Sequence, residues 1–425
     1  MTMMHILRAA LLALCGLALS VPATAQTIMA PAPVTDTRLS TASTTLRHVG
    51  NRTGIANQKS GSNTRAGFRT WQFNYVAGYP RVCFYNGYVG SATSGVETGT
   101  GGVMTLTLYV EVNGVATSWK WGGAASGTIA NNGWGCSDPS PVLVPAYTKY
   151  RICGDMQIAA GGTIPTSGWS NAADSANGDE YQVGTTSDYC ATGTVLAKTP
   201  AQQIFPTLVL AESDRTVWGA VGDSIVAGVN YTQTQPSGGR GILAALAEFG
   251  PSLNFGVPGD RATWYASNST IRRAMMAAGG VTSVIDELGF NDLNNSRTSA
   301  QLLADRATIR GFFTGLSVYE STITPASTST DLFKTAANQT INNSTVNTQR
   351  TTYNDALRAG VTGVAGVLEF ASAVETSTAS ETGPVINGGV YVPICMYNGD
   401  GVHPLEQCER QKIFPVVRAL LSTRR

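Results

Sequence analysis

A serine, a histidine and a carboxylate stand at positions from which they can perform acyl transfer. Ser224 lies in Gly222-Asp-Ser-Ile225, directly after a predicted strand and before a predicted helix. His403 lies in Asp400-Gly-Val-His-Pro404, three residues after a carboxylate. At that spacing one tight turn can place Asp400 on the imidazole Nδ1–H and leave Nε2 for Ser224. The three residues therefore predict a nucleophile, its base and the group that orients the base.

Each of these short motifs also has an ordinary structural explanation. A serine after a strand is often a helix N-cap, and Asp400-Gly401 is also typical of a surface turn. The chain has three histidines, His5, His48 and His403. Since His5 lies in a predicted signal peptide and His48 in a segment without periodicity, we expect His48 to be exposed and idle. A serine–histidine mechanism would therefore use His403.

Two further residues can supply hydrogen bonds to a developing oxyanion. Gly259, in Val257-Pro-Gly-Asp260, follows the second predicted strand, where a missing side chain lets a backbone N–H approach a substrate. Asn291, in Gly289-Phe-Asn-Asp292, follows the third strand and offers a side-chain amide. The alternatives are a Pro-Gly turn and an Asx turn.

In this order, the motifs resemble the conserved blocks of the SGNH/GDSL hydrolase family. Ser224, Gly259, Asn291 and His403 match its four name residues, and Asp400 completes the triad. Ile225 stands where leucine is commoner, and Gly256 is a second candidate for the glycine. The resemblance covers about 210–425 and implies a flavodoxin-like three-layer α/β/α fold with no cofactor. It also implies ester hydrolysis through an acyl-serine, with the Ser224 and Gly259 N–H groups and the Asn291 amide as the oxyanion hole.

The elements around these motifs alternate between strands and helices. Apolar strand patterns begin near 216, 253, 281, 316 and 366, and helical patterns fall near 241–249, 269–278, 300–313 and 346–359. Such alternation predicts a parallel sheet covered by helices on both faces. Ligands bind beyond the carboxyl ends of the strands in such folds, and most of the motifs come directly after predicted strands.

The first half of the chain has a different texture. Residues 26–70 are rich in Ser, Thr, Asn and Gly and predict an irregular segment, whereas 71–205 hold short alternating strands separated by Gly- and Asn-rich turns. We therefore predict an all-β accessory domain of the sandwich or jelly-roll kind over 71–205 and a hydrolase domain over 210–425. Asn113-Gly114 predicts a hairpin turn.

The first 25 residues predict a secretory signal peptide that ends after Ala23-Thr-Ala25. No later segment is apolar for long enough to span a bilayer. Removal of Cys15 with the signal leaves six of the seven cysteines, an even number that favours disulfides in an exported chain. Pairing within each half joins Cys395 to Cys408 around Asp400 and His403, and leaves three possible pairings for Cys83, Cys136, Cys153 and Cys190. The absence of a C-x-x-C pair argues against zinc.

The net charge and the composition of the chain limit the classes of partner that it can bind. The net charge is +1 and charged residues make up only 13%, without the basic patch of a nucleic-acid-binding protein. Trp264 and Tyr265, close to Gly259, are candidates for stacking on a sugar ring, although core packing is the stronger interpretation. The favoured hypothesis is a secreted or periplasmic esterase that removes acyl groups, acetyl above all, from a polysaccharide. The alternatives are a lipase, thioesterase or short-chain esterase, an acyltransferase, and a non-enzymatic surface protein that binds glycan.

Overall fold

The computed structural model describes residues 45–90, 94–167, 179–184, 190, 203–229, 231, 240–377, 380–384, 388–396 and 399–422. The predicted signal peptide, residues 1–25, lies outside the described residues, as does 26–44. The described residues belong to one compact unit that spans Ser43–Arg425. The division into an accessory domain over 71–205 and a hydrolase domain over 210–425 stays a prediction.

The described part of the first half contains fourteen strands. They are β1 Thr45–His48, β2 Gln58–Lys59, β3 Arg65–Asn74, β4 Arg81–Tyr85, β5 Gly87–Tyr88, β6 Thr98–Gly99, β7 Met104–Val112, β8 Val115–Trp119, β9 Ser126–Ile129, β10 Trp134–Cys136, β11 Thr148–Ile158, β12 Pro165–Thr166, β13 Glu180–Val183 and β14 Leu208–Ser213. All pairs among them are antiparallel. One main sheet has the order β13-β3-β11-β7-β8, with β9 beside β7, and the other has the order β1-β14-β4-β10.

The four-stranded sheet is buried on both faces. Val209 on β14 packs with Val82 and Phe84 of β4 in the core that this sheet shares with the larger antiparallel sheet. Leu208 and Leu210, whose side chains point to the opposite face because strand residues alternate, belong to a second core with the strands and helices of the C-terminal half. The sheet therefore joins the β-rich half to the rest of the molecule through apolar contacts on each side.

Local sequence patterns account for the hairpins. On β7 the alternating sequence from Met104 to Val110 gives side chains that are buried and half-buried in turn. The predicted turn at Asn113-Gly114 is confirmed: Val112 pairs with Val115, and both turn residues have positive φ, +52° and +79°. Positive φ at both positions is the type I′ conformation that suits a two-residue hairpin loop.

The prediction of an irregular segment over 26–70 is wrong for part of its described residues. Strand β1 pairs along its whole length with β14, and β3 begins at Arg65. The only large apolar residue of β1, Leu46, is 46% exposed, so the strand has no hydrophobic pattern of its own. It is a strand because β14, more than 160 residues away along the chain, supplies its hydrogen bonds.

His48, expected to be exposed, is fully buried at the end of β1. Its backbone N–H donates to Gly279 O (2.8 Å), and its Nδ1 accepts a hydrogen bond from the Val209 N–H (3.2 Å). Burial lowers the pKa of His48 from 6.5 to about 3, because the charged imidazolium would lose its hydration. The ring is therefore a neutral structural group.

We expect His48 to make stability depend on pH. The unfolded chain takes up a proton on this ring at about pH 6.5, whereas the folded protein does so only at about 3, so the unfolded state binds more protons between these values. The free energy of unfolding should fall as pH drops through that window, by at most about 1.4 kcal/mol per pH unit from this group. Urea unfolding at pH 7 and pH 5 should show a smaller loss in His48→Gln than in wild type. Equal losses in both proteins would contradict the assignment.

The predicted parallel sheet is confirmed in the second half. Its strands are β15 Trp218–Gly222, β16 Ser252–Gly256, β17 Ser283–Asp286, β18 Ser317–Ser321 and β21 Gly366–Leu368, with the short strands β19 Ser327–Ser329, β20 Gln339–Ile341, β22 Glu375–Ser377, β23 Ser380–Pro384 and β24 Val390–Tyr391 outside it. The order is β16-β15-β17-β18-β21, the 2-1-3-4-5 arrangement of flavodoxin-like sheets. The chain leaves β15 for one side and later returns to its other side, so the topological switch point lies at the carboxyl end of β15.

Helices cover both faces of this sheet. They comprise Ser224–Ala227, Ile242–Leu246, Ala262–Asn268, Thr270–Ala278, Phe290–Asn294, Ser299–Phe312, Ser344–Arg358, Phe370–Val374, Pro393–Met396, Glu406–Cys408 and Phe414–Ser422, with a π-helical turn at Glu409–Ile413. One core holds Met275, Ile309 and Leu357, and the other holds Leu243, Phe370 and Val417. Because these residues belong to different helices on opposite sides, the sheet is the middle of three layers.

Candidate active site

Ser224 begins the helix that follows β15 at the switch point. All five residues of β15 are buried, and a Cβ at Gly222 would lie 2.2 Å from a Val226 methyl carbon, so only glycine fits at the end of the strand. Asp223 caps the helix by accepting a hydrogen bond from the Ile225 N–H (2.9 Å). Ser224 is therefore held half-buried at the carboxyl edge of the sheet.

The structure brings Ser224, His403 and Asp400 together in one chain of hydrogen bonds. His403 Nε2 lies 2.7 Å from Ser224 Oγ, although the two residues are 179 positions apart. His403 Nδ1 lies 2.6 Å from Asp400 Oδ2. Since an ionised carboxylate can only accept, Nδ1 carries the proton and Nε2 is left to accept the hydroxyl proton. This is the arrangement expected from the spacing of the two motifs.

Asp400 is held as a carboxylate. Partial burial raises its pKa, but hydrogen bonds from the His403 ring and from the N–H groups of His403 and Val402 outweigh burial, and the pKa is lowered overall. Its Oδ1 accepts from both N–H groups at 2.9 Å. The same side chain therefore shapes the turn and orients the imidazole.

The loop that carries His403 is fastened to its surroundings. Cys395 and Cys408, both fully buried, form the predicted disulfide around it. The Ser327 N–H on β19 donates to Gly401 O (3.0 Å), and the Tyr391 hydroxyl donates to Val402 O (2.8 Å). Closing a loop of this length stabilises the folded state by about 3 kcal/mol in the chain-entropy view. The other four cysteines form Cys83–Cys136 and Cys153–Cys190.

The predicted oxyanion residues lie beside Ser224. Gly259 has φ +80° and lies in a tight turn in which the Asp260 N–H donates to Val257 O (2.9 Å). The alternative interpretation of this segment, a Pro-Gly turn, therefore also holds. The Val257 N–H donates to Gly222 O (3.0 Å), which ties this turn to the end of β15. No described residue accepts a hydrogen bond from the N–H of Ser224 or Gly259. Both groups are therefore open to a ligand.

The side-chain amide of Asn291 is already hydrogen-bonded within the protein. Its Nδ2 donates to Asp223 Oδ2 (2.9 Å) and to the Asp260 carbonyl (3.2 Å). Both N–H bonds are thus engaged within the protein, and the amide bridges the residues that flank Ser224 and Gly259. A role as oxyanion donor requires one of these bonds to be shared with the substrate.

A buried pair of carboxyl groups lies directly under the serine and was missed from the sequence. Burial raises the pKa of Asp223 to about 6, and burial together with the Asp223 charge raises the pKa of Glu287 well above its usual range. The Asp223 N–H donates to Glu287 Oε2 (3.3 Å). The sequence signal was an acidic residue at the end of a strand that is buried throughout, where a charge is costly without a partner.

Trp264 and Tyr265 do not form a pair of stacking residues. Tyr265 is fully buried in the core, with the Arg272 guanidinium 4.5 Å from its ring centre, which fits the favoured interpretation of core packing. The side chains of two consecutive helical residues point about 100° apart, which is why only one of them turns outward. Trp264 is half-buried, and Arg261 covers its ring at 4.2 Å.

Comparison with known proteins gives structural similarity without sequence similarity. No protein-family model and no curated protein sequence matches the chain. Many solved structures of GDSL/SGNH lipolytic hydrolases are similar to about half of it. Among them are a GDSL-like lipase from Bacteroides thetaiotaomicron (12% identity, 49% of this chain, 88% of that one, TM-score 0.33), a lipolytic G-D-S-L family protein from Veillonella parvula (15%, 50%, 100%, 0.33) and a lipase from a goat rumen metagenome (13%, 48%, 97%, 0.34).

The side chains of this chain define the chemistry that its site can perform. Among the described residues, no helix is long and apolar enough to cross a membrane. The arrangement at the switch point offers a hydroxyl with a base, an oriented imidazole and two open backbone N–H groups. These are the components that acyl transfer to serine requires.

Proposed function

We propose that this chain is a serine esterase of the SGNH/GDSL type. The observation that carries the proposal is the continuous contact from Ser224 Oγ through His403 to Asp400. Ser224 Oγ attacks the ester carbonyl carbon while its proton passes to His403 Nε2. The same nitrogen then protonates the departing alcohol oxygen as the carbon–oxygen bond breaks. Water then gives a proton to His403 Nε2 and attacks the acyl carbon. The bond from that carbon to Ser224 Oγ breaks, Oγ takes the proton back from His403, and the carboxylic acid is released.

The oxyanion formed in both steps is stabilised by the N–H groups of Ser224 and Gly259. The Asn291 amide adds a third donor when one of its hydrogen bonds turns to the substrate. Asp400 keeps the imidazole in the tautomer that has Nε2 free and stabilises the imidazolium that forms. None of these steps uses a metal or a cofactor.

The ester is proposed to have a sugar as its alcohol part and acetate as its acyl part. A shallow depression of about 10 Å³, the space of roughly one water molecule, begins at Phe290, the residue before Asn291, and is also lined by Asn294, Asn343 and Asn347 among others. Amides beside an aromatic ring suit a ligand with many hydroxyl groups.

Two of these amides have a fixed orientation. Asn347 Oδ1 accepts from Arg350 Nε (3.0 Å) and Nη2 (2.7 Å), and Asn343 Oδ1 accepts from the N–H groups of Thr345 and Val346. Their oxygens are therefore used, and no described residue accepts from either NH₂ group. Each NH₂ can therefore donate to a hydroxyl oxygen of a bound sugar. Because the amide is already held in one orientation, binding costs little further side-chain entropy.

A substrate panel tests the proposal. Acetylated xylan and other acetylated glycans are compared with p-nitrophenyl esters of increasing chain length, and acetate or p-nitrophenol release is measured. We expect acetate esters to react fastest, with acetylated glycan above the small acetate ester in kcat/KM. Asn347→Ala should lower kcat/KM on glycan by about three- to tenfold more than on p-nitrophenyl acetate, the size of one lost hydrogen bond. Thr348→Ala, on the same helix, is the control.

Other outcomes of the panel select among the remaining functions. Preference for long acyl chains or thioesters indicates a lipase or thioesterase, and transfer of the acyl group to an added alcohol in preference to water indicates an acyltransferase. Glycan binding without turnover of any ester indicates the non-enzymatic surface protein. Three disulfides among the described residues support an oxidising location, and we propose export to the periplasm, the cell surface or the medium.

A further inference from the structure

One loop of the β-rich half reaches the part of the second half that carries Gly259. Glu97, on the loop before β6, is 9% exposed and lies against the start of the helix Thr270–Ala278. Its two carboxylate oxygens accept from the N–H groups of Ile271 (2.6 Å) and Arg272 (2.8 Å). A carboxylate from a distant part of the chain thus satisfies two N–H groups that this helix cannot satisfy itself.

Arg272 continues the connection toward the site. Its guanidinium is fully buried, with Nε 3.4 Å from Glu97 Oε1 and Nη1 2.5 Å from Asp260 Oδ2. Asp260 is buried as well, so both charges of this pair depend on each other for compensation. Loss of the Glu97 charge leaves the Arg272 guanidinium with Asp260 as its single carboxylate partner. The electrostatic attraction that positions Asp260 then changes as well.

Asp260 is joined to the proposed oxyanion residues on both sides. It directly follows Gly259 in the chain, and its carbonyl accepts from Asn291 Nδ2 (3.2 Å). The backbone of the same loop adds a steric contact, since a Cβ on Gly95 would lie 3.1 Å from Asp260 Oδ1 and 2.6 Å from Trp264 Cβ. The loop therefore touches the Gly259 turn through charge and through packing.

We propose that Glu97 is a positioning residue for catalysis, holding the Gly259 turn and the Asn291 amide in place through Arg272 and Asp260. This inference rests on the proposed esterase function and adds to it that the β-rich half completes the active site. Oxyanion donors act only at the correct distance, and a displacement of about 1 Å costs up to about 100-fold in rate. The transition state should suffer from loss of Glu97 more than the bound substrate does.

Glu97→Gln tests this, with Glu180→Gln as the matched control. Glu180 is also a buried acid of the β-rich half, paired with Arg69 at 2.9 Å, and it lies on β13 opposite β3. We expect Glu97→Gln to lower kcat on p-nitrophenyl acetate about tenfold or more, with KM changed less than about twofold. Its affinity for phenylboronic acid, which forms a tetrahedral adduct on the serine, should fall in parallel. The control should lose thermal stability alone.

Four results separate the possibilities. Unchanged kcat and boronate affinity in folded Glu97→Gln, or equal losses in Glu180→Gln, overturn the positioning role and leave the esterase intact. Lack of ester turnover and boronate binding in wild type overturns the esterase proposal itself. If Glu97→Gln does not fold, Glu97→Asp decides: it keeps the charge but is one methylene shorter, so kcat should be reduced with KM retained. A wild-type kcat in that variant overturns the role.

Discussion

Ser224→Ala should abolish ester hydrolysis, lowering kcat by at least about 10⁴-fold, while the protein stays folded. In the proposed mechanism Ser224 Oγ forms the acyl bond, and it lies 2.7 Å from its proposed base, His403 Nε2. The helix should survive because its cap is the Asp223 side chain and does not involve Ser224. Steady-state release of p-nitrophenol and thermal unfolding measure the two effects.

The control for this variant is Ser267→Ala. Ser267 is an exposed serine whose hydroxyl donates to one helical carbonyl, Thr263 O, so its loss should leave kcat unchanged. A Ser224→Ala protein that turns over esters at the wild-type rate would show that the hydrolysis happens elsewhere. The triad geometry would then be without function.

Asp400→Asn should lower kcat by about 10³–10⁴-fold with little change in KM. An amide NH₂ facing Nδ1 favours the tautomer with the proton on Nε2, which cannot accept the Ser224 proton. An amide also cannot stabilise the imidazolium as a carboxylate does. One carbonyl oxygen remains to accept the N–H groups of Val402 and His403, so the turn should persist. The pH dependence of kcat/KM and a thermal melt are the measurements.

Asp331→Asn is the matched control for the Asp400 variant. Asp331 also organises a loop, accepting from the Lys334 N–H (3.1 Å), Thr335 Oγ1 (2.8 Å) and Asn338 Nδ2 (3.0 Å), but it faces no imidazole. Its variant should change stability slightly and kcat not at all. Similar losses of kcat in both variants would mean that Asp400 acts only on the loop.

The parts of the site that can be predicted from the sequence are those formed by a few consecutive residues. Gly222 to Ile225 contains the end of a buried strand and a helix cap, and Asp400 to His403 contains a complete turn with its own hydrogen bonds. The first motif follows β15 of the parallel sheet, at the edge where such folds bind ligands, whereas the second follows β24 and a short helix outside that sheet. The meeting of Ser224 and His403 was therefore predicted from the chemistry of the two motifs and not from the order of the strands.

The parts that were missed depend on partners far away in the chain. Nothing around Glu97 indicates that it reaches Arg272, 175 residues later. The burial of His48 follows from the pairing of β1 with β14, and β1 has no apolar pattern of its own. Glu287 was overlooked because its partner, Asp223, lies on a neighbouring strand end. Burial and pairing of polar side chains are properties of tertiary packing, which a local pattern does not encode.

The placement of His403, the proposed base, depends on whether the disulfide around its loop forms when the protein is produced. Both sulfur atoms are buried, so a correctly oxidised molecule resists mild reductants unless the loop opens first. A chain produced in the reducing cytosol of an expression host would still bury its three hydrophobic cores, because those are apolar contacts that need no oxidation. Such a preparation would look native by circular dichroism and melt cooperatively, yet carry its imidazole on an unclosed loop. Specific activity per mole of folded protein would then depend on the fraction of molecules in which this disulfide has formed. Free thiols should therefore be titrated in every preparation used for kinetics.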